Sequence, residues 1–264
     1  MGAGGNFVDR GCYRRILRAM TEERVMEMFR AVLFDMDGVL IDTRQSVTDF
    51  WQAVAAEQNV TLTPDDLERH VHGVPAVATL RALFPGLPPE QDGEFLDRVT
   101  RYELGLRYEE VAGVKSLLRS LKAAGVRMAL VTSGMSWKVE EVSRQLALGG
   151  LFDVIVTAAD IERGKPDPAC YLAAATKLRV APAECVVFED TVSGVRAAVA
   201  AGMACVGVQT GRLADRLVAE GVRHIVPDFT AVRLDLPGGQ PQLRLASGFT
   251  IRLASGFNWS AQTT

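Results

Sequence analysis

Cysteine is scarce in this 264-residue chain: Cys12, Cys170, Cys185 and Cys205 lie far apart, with no Cys-x-x-Cys pair and no Cys/His cluster of zinc-finger spacing. A disulfide scaffold is excluded, and buried reduced thiols in a reducing compartment are the expectation. An excess of one charge is missing as well, since 29 Lys+Arg against 32 Asp+Glu leave a net −3 and a pI near 5.7. That balance offers no basic footprint for nucleic-acid phosphates, so no nucleic-acid partner is expected. No apolar run approaches the roughly 18 residues of a membrane span. The first thirty residues mix arginines with acids and contain no continuous apolar stretch of the secretory kind. The expectation is a cytoplasmic protein without a membrane partner. The Met-Gly start has Asn6 where myristoylation wants Ser or Thr, and the sequon at Asn258 lacks the secretory context that would use it.

What is present is the composition of an ordinary globular protein, 48% hydrophobic and 23% charged. Short apolar runs recur at Ala31 to Asp35, Arg127 to Thr132, Phe152 to Thr157, Cys185 to Glu189, Ala204 to Val208 and His224 to Val226. Helical periodicity fills the gaps at Val114 to Ala124, Ser136 to Leu146, Pro168 to Leu178, Val192 to Ala201 and Leu213 to Glu220. Strand alternating with helix predicts an α/β fold with a doubly wound parallel sheet, whose ligands sit beyond the carboxyl ends of the strands.

The alternation breaks once. Between Asp42 and Gly113 only helical patterns occur: Val47 to Gln58, Pro64 to His70, Val77 to Leu83 and Glu94 to Tyr108. An α-helical cap domain inserted after the first strand would lie over that strand's carboxyl end, in the position of a lid. The expected division is an extension over 1–30, disordered or helical; a core over 31–43 and 113–230; a cap over 44–112; and a hairpin and tail over 231–264. Met20, Met26 and Met28 precede the first strand and leave the translation start open. The tail holds an eight-residue repeat, LRLASGFT at 243–250 and IRLASGFN at 251–258, too short for a solenoid and read as a frayed edge strand or disordered tail.

Four motifs stand at predicted strand ends. Asp35 and Asp37, in Asp35-Met36-Asp37-Gly38, begin on one side of an extended chain, and two carboxylates so placed can divide the work of nucleophile and proton donor. Glu189-Asp190 end another strand, although Asp190 could equally be a helix cap. Carboxylates converging on one sheet edge repel unless a cation joins them, and an all-oxygen set suits Mg²⁺; Asp35, Asp190 and the backbone carbonyl of Asp37 make the simplest coordination sphere. Thr132, Ser133 and Gly134 offer a hydroxyl and backbone amides before a helix, either an anion site or a plain capping turn. Lys165, in Gly164-Lys165-Pro166-Asp167-Pro168, can balance a carboxylate facing a phosphate, although a lone lysine is more often a solvated surface group.

In chain order these read DMDGV, VTSG, GKPDP and ED, and the combination resembles the haloacid dehalogenase superfamily over about 31–230, with the helical insertion similar to that family's cap. The resemblance implies that Asp35 attacks phosphorus to give an aspartyl-phosphate and that Asp37 protonates the leaving alcohol and then activates water. It further implies that Thr132 and the adjacent backbone hold the phosphoryl group, that Lys165 neutralises it, and that Mg²⁺ joins it to Asp35 and Asp190. Glu189 would orient the metal's waters or stand by as a spectator.

Absences choose among the family's reactions. A dehalogenase has no need of Asp37 as proton donor. Phosphonate cleavage needs a Schiff-base lysine in the cap, yet the first lysine of the chain is Lys115, so that activity is excluded unless a lysine enters from elsewhere. In the stretch His72-Gly73-Val74-Pro75-Ala76, alanine stands where a sugar-phosphate mutase would carry arginine. His72 and Gly73 resemble the cap loop of sugar and glycerol-phosphate phosphatases; His72 reads as a substrate contact or as a histidine packed within the cap. Arg81 reads as a solvated face. The sequence thus predicts a Mg²⁺-dependent phosphatase of a small phosphorylated sugar or polyol, working as a monomer or dimer. The alternatives are a β-phosphoglucomutase-type mutase and a catalytically silent protein of the same fold.

Overall fold

The computed structural model describes residues 28–209 and 211–255. Most of the expected N-terminal extension, Cys12, the sequon and the end of the repeat lie outside the described residues. In chain order the elements are β1 (Met28–Phe29), β2 (Ala31–Phe34), α1 (Arg44–Glu57), α2 (Pro64–His70), α3 (Ala76–Leu83), α4 (Asp92–Leu104) and α5 (Val114–Ala123). They continue with β3 (Arg127–Val131), α6 (Ser136–Leu146), β4 (Val154–Val156), α7 (Ala169–Leu178), β5 (Cys185–Glu189), α8 (Val192–Ala200) and β6 (Ala204–Val208). The last are α9 (Gly211–Ala219), β7 (His224–Val226), β8 (Val232–Asp235), β9 (Gln242–Leu245) and β10 (Thr250–Leu253).

A six-stranded parallel sheet runs β4-β3-β2-β5-β6-β7. The strands are apolar throughout because both faces are covered, and the period of two sorts their residues. Val32 and Phe34 of β2 join Val186 and Phe188 of β5 in one core with α5 and α6, where Phe34 and Phe188 stack with centroids 5.3 Å apart. Ala31, Leu33, Cys185 and Val187 face the other way, into a core with α7 and α8 that also holds Cys170 and Cys205. All three described cysteines are free and buried.

Helices α1 to α4 bury a core of their own, in which Trp51 packs against Phe84 and Phe95 and Phe50 packs against Phe95 and Tyr102. Helix α2 is fixed at its start by a capping box, Thr63 accepting from the Asp66 N–H while Asp66 accepts from that of Thr63. Helix α4 ends at Leu104, short of the expected Tyr108. The chain turns at Gly105, and Tyr108 is buried in the sheet's core with its N–H donating to Gln145 Oε1 at 2.9 Å. The two strands of chain joining this helical unit to the sheet are laced together: Asp42 N–H donates to Glu109 O at 3.0 Å and Val111 N–H to Leu40 O at 3.0 Å.

The tail is a correction. Strands β8 and β9 form the expected hairpin, but Thr250–Leu253, expected to fray, is a strand held between β9 and β1. Its alternation explains this: Ile251 and Leu253, with Leu243, Leu245 and Val232, are buried in the core shared with α5, while Arg252 and Arg244 point outward. Two repeat copies suffice here because the sheet rests on α5 instead of stacking on further repeats. Arg81 is a second correction: it is ion-paired with Asp92 and donates to the carbonyl of Leu87, pinning the proline turn after α3.

Candidate active site

Asp35 follows the last residue of β2, and its N–H donates to Phe188 O at 3.1 Å. Because Phe34 pairs with Phe188, Asp35 stands level with Glu189, and both follow Leu33 and Val187 toward the α7 side. There Lys165 Nζ donates to Asp35 Oδ1 and Glu189 Oε1, each at 2.5 Å, and all three side chains are at most 9% exposed. A lone lysine is more often a solvated surface group, but the prolines around Lys165, from which a charge-balancing role is expected, carry it inward, where two carboxylates offset the cost of burying it.

Glu189 is the most engaged group in the site. Its Oε1 also accepts from Tyr171 Oη at 2.8 Å, and its Oε2 accepts from the N–H groups of Asp190 and Thr191 at 3.0 and 3.2 Å and from Thr191 Oγ1 at 3.1 Å. Helix α8 makes room for it with Gly194, where a Cβ would stand 1.7 Å from Glu189 Oε1. A carboxylate so occupied has little left for a metal or its waters. Its visible work is to hold Lys165 and the Asp190-Thr191 turn. Tyr171, a partner that the sequence reading missed, lies one helical turn beyond the GKPDP motif.

Asp35, Glu189 and Asp190 bring carboxylate oxygens within 4.8 Å of one another. Asp190 Oδ1 is buried with no hydrogen-bond partner. Burial pushes the Asp35 and Asp190 carboxyls up, with Glu189 adding to the push. Three buried acids share one lysine, so ionising all of them calls for further positive charge, and the orphaned Asp190 oxygen marks where a cation would sit. A divalent cation fits this donor set, through Asp35 and Asp190. Gly38 closes over the same spot: its φ is +78°, and a Cβ would meet Asp190 Oδ2 at 2.1 Å.

Asp37 stands apart from that cluster. Its Oδ1 accepts from Thr43 Oγ1 at 2.7 Å and from Lys138 Nζ at 2.9 Å, and Lys138 also donates to Glu103 Oε1 at 2.6 Å. Lys138 comes from α6 and is buried, whereas Glu103 comes from the end of α4, so the trio ties the helical unit to the sheet beside Asp37. The two carboxylates hold the ammonium well above its usual range. Sequence reading passed over Thr43, Lys138 and Glu103; the one signal was a lysine placed in the first turn after the VTSG strand end.

Thr132, Ser133 and Gly134 line the same cavity of about 310 Å³ as Asp35, Asp37 and Asp190. Thr132 Oγ1 accepts from Gly134 N–H at 2.9 Å, which leaves its own proton for an incoming anion. From the cap side come Arg44, His72 and Gly73. His72 is 8% exposed, its Nε2 lies 3.4 Å from Thr48 Oγ1, and burial with the Arg44 charge pushes its pKa down to about 4. The Gly73 carbonyl accepts from Ser193 Oγ at 3.4 Å, so this loop touches the start of α8.

Fold and site together define a Rossmann-like α/β protein with an aspartate at the carboxyl end of a central parallel strand and a helical unit lining the cavity above it. The family model of haloacid dehalogenase-like hydrolases matches residues 32–208, about two thirds of the chain, and the chain belongs to that family. It is 36% identical over 66% of its length to a phosphorylated carbohydrates phosphatase of Thermotoga maritima, of which it covers 82%. It is 32% identical over 69% of its length to β-phosphoglucomutase of Bacillus subtilis, of which it covers 84%. Among solved structures, a hydrolase from Pseudomonas syringae matches with a TM-score of 0.66 at 25% identity, covering 76% of this chain and 95% of that one. Among the described residues, no helix is long and apolar enough to cross a membrane.

Proposed function

We propose that the protein is a Mg²⁺-dependent phosphatase that hydrolyses a small phosphorylated sugar or polyol through an aspartyl-phosphate. The observation that carries this is the buried Asp35-Lys165-Glu189 cluster with the orphaned Asp190 oxygen beside it. In this reading Asp35 Oδ attacks phosphorus in line with the leaving oxygen, and Asp37, which must enter this step in its protonated form, hands that proton to the departing alcohol. Asp37 then takes a proton from the water that cleaves the acyl phosphate, returning both carboxylates to their starting state. Thr132 Oγ, the amides around Ser133 and Gly134, and Lys165 hold the phosphoryl oxygens. Asp35, Asp190 and the Asp37 carbonyl would hold Mg²⁺, which when bound supplies charge for the phosphoryl group and fixes its position against Asp35. Positioning and charge, with little other chemistry, are what phosphoryl transfer requires.

Hydrolysis is favoured over the family's other reactions by two features of this chain. Lys138 does enter the cavity, but it is held as an ammonium by Asp37 and Glu103, whereas a Schiff base needs a neutral amine. Ala76 lines the cavity without a charge for the second phosphate of a mutase. The free buried thiols support a cytoplasmic setting. The test is phosphate release from a panel of phosphomonoesters with Mg²⁺, with sugar products checked for isomerisation. Asp35→Asn is expected to lose about a thousandfold or more in kcat, and chelation to abolish turnover until Mg²⁺ is restored. No release from any ester, with Asp35→Asn indistinguishable from wild type, overturns the reading.

A further inference from the structure

Arg44 is a cavity residue to which the mechanism gives no task. It opens α1, and its Nη2 is ion-paired with Glu68 of α2, so the guanidinium is carried by the helical unit over the site. Its Nη1 is buried and has no hydrogen-bond partner. It lines the cavity together with His72 of the cap loop and Asp190 of the acidic cluster. A buried donor left without an acceptor is costly, and in a ligand cavity it marks where a ligand acceptor belongs.

We propose that Arg44 is the residue that reads the leaving group, its Nη1 donating to a neutral oxygen beyond the phosphoester bond, and that Arg44 with Glu68 selects monophosphates over bisphosphates. The inference rests on the phosphatase reading above and deepens it. The transferred phosphoryl group already has Thr132, Lys165 and the Ser133-Gly134 amides on the sheet side of the cavity. Arg44 faces it from the cap, where the rest of the substrate must lie. The charge count decides what that part is. Glu68 cancels the Arg44 charge, His72 is neutral at ordinary pH, and no other arginine or lysine of the cap lines the cavity. A second phosphate would therefore enter without net positive charge, whereas a hydroxyl or ether oxygen needs only the free N–H. Val47, Val74, Val77, Leu96 and Val99 also line the cavity from the cap, so the leaving group turns a C–H face to them. That is the chemistry of a small polyhydroxy compound with one edge hydroxylated and one face bare.

The experiment compares kcat/KM of wild type, Arg44→Met and Glu68→Gln on sorbitol 6-phosphate, fructose 1,6-bisphosphate and phenyl phosphate, the last having no oxygen outside its ester. Arg44→Met is expected to lose at least tenfold more on sorbitol 6-phosphate than on phenyl phosphate, because a site built for an oxygen discriminates through its unpaired donor. Glu68→Gln, a near-isosteric change, is expected to raise the bisphosphate-to-monophosphate ratio about tenfold by freeing the Arg44 charge. Equal losses of Arg44→Met on sorbitol and phenyl phosphates, or an unchanged ratio in Glu68→Gln, overturn the assignment. Calorimetric titration of the two monophosphates into Asp35→Asn, with and without Arg44→Met, reads the same discrimination without turnover. If wild type hydrolyses none of the esters the phosphatase reading fails, and the titration still decides on Arg44: selective weakening of sorbitol 6-phosphate upholds it, and absence of selectivity or of binding overturns it.

Discussion

The two walls of the cavity are built on opposite principles. On the sheet side, Lys165 meets two carboxylates and Glu189 accepts from five donors (Lys165, Tyr171, two amides and Thr191 Oγ1). On the cap side the lining is largely aliphatic, and the Arg44–Glu68 pair is one-third exposed at its arginine, with one nitrogen left over. The sheet wall fixes charges in place before any ligand arrives, which is what transition-state stabilisation needs. The cap wall leaves its polar capacity open, which is what recognition needs. In the proposed function, chemistry and selectivity are thus divided between separately packed cores, and damage to one should be distinguishable from damage to the other.

The sharpest break in that contrast is Glu189→Ala. It strands Lys165 on Asp35 alone and removes the acceptor of Tyr171, Thr191 and two backbone amides. Removing one partner from a buried ion-pair network costs about 3–5 kcal/mol, to be measured by urea denaturation. Glu68→Ala on the cap wall, which breaks a partly exposed pair, is expected to cost no more than about 1 kcal/mol. Equal losses would show that the sheet wall is no more committed than the cap wall.

This contrast also explains what was legible in the sequence. Asp35 and Asp190 directly follow short apolar runs that announce the address, Lys165 stands in the GKPDP motif, and the parallel doubly wound sheet, though not its strand order, follows from strand and helix alternation. Tyr171, Lys138 and Glu103 could not be found that way, since each reaches the site from the first or last turn of a helix and its direction depends on helix phase and on the neighbour across the gap. Glu103 is 66 residues from Asp37 in sequence, and only the docking of α4 on α6 brings them together through Lys138. The tail was misread for a related reason: Ile251 and Leu253 look like an isolated alternation until α5 supplies the surface that buries them.

Lys138→Met tests the seam between the walls. It leaves Glu103 and Asp37 facing each other without the ammonium that joins them, one carboxylate being buried and already pushed up by that burial. The expected loss is about 2–3 kcal/mol in urea denaturation, below that of Glu189→Ala because Asp37 is 31% exposed and water can take up part of its charge. Glu103→Gln keeps an acceptor for Lys138 and should lose less than half as much. A larger loss from Glu103→Gln than from Lys138→Met would mean that α4 is held by contacts of its own and not by the lysine.

A further effect belongs to the cap wall and depends on pH. His72 is buried beside Thr48 and the Arg44 charge, which lowers its pKa from 6.5 to about 4. Above pH 7 the imidazole is neutral in both folded and unfolded chains and contributes no pH dependence. Between pH 6.5 and pH 4 the unfolded chain binds a proton that the folded one refuses, so stability falls as pH falls, by about 2 kcal/mol between pH 7 and pH 5 from this group. His72→Gln removes the proton site, so its urea stability should decline less over that interval than wild type, by about that amount. Carboxylates elsewhere titrate alike in both proteins and cancel in the difference. If the two curves run parallel, the His72 pocket admits water at low pH, and the cap wall is looser than its aliphatic lining implies.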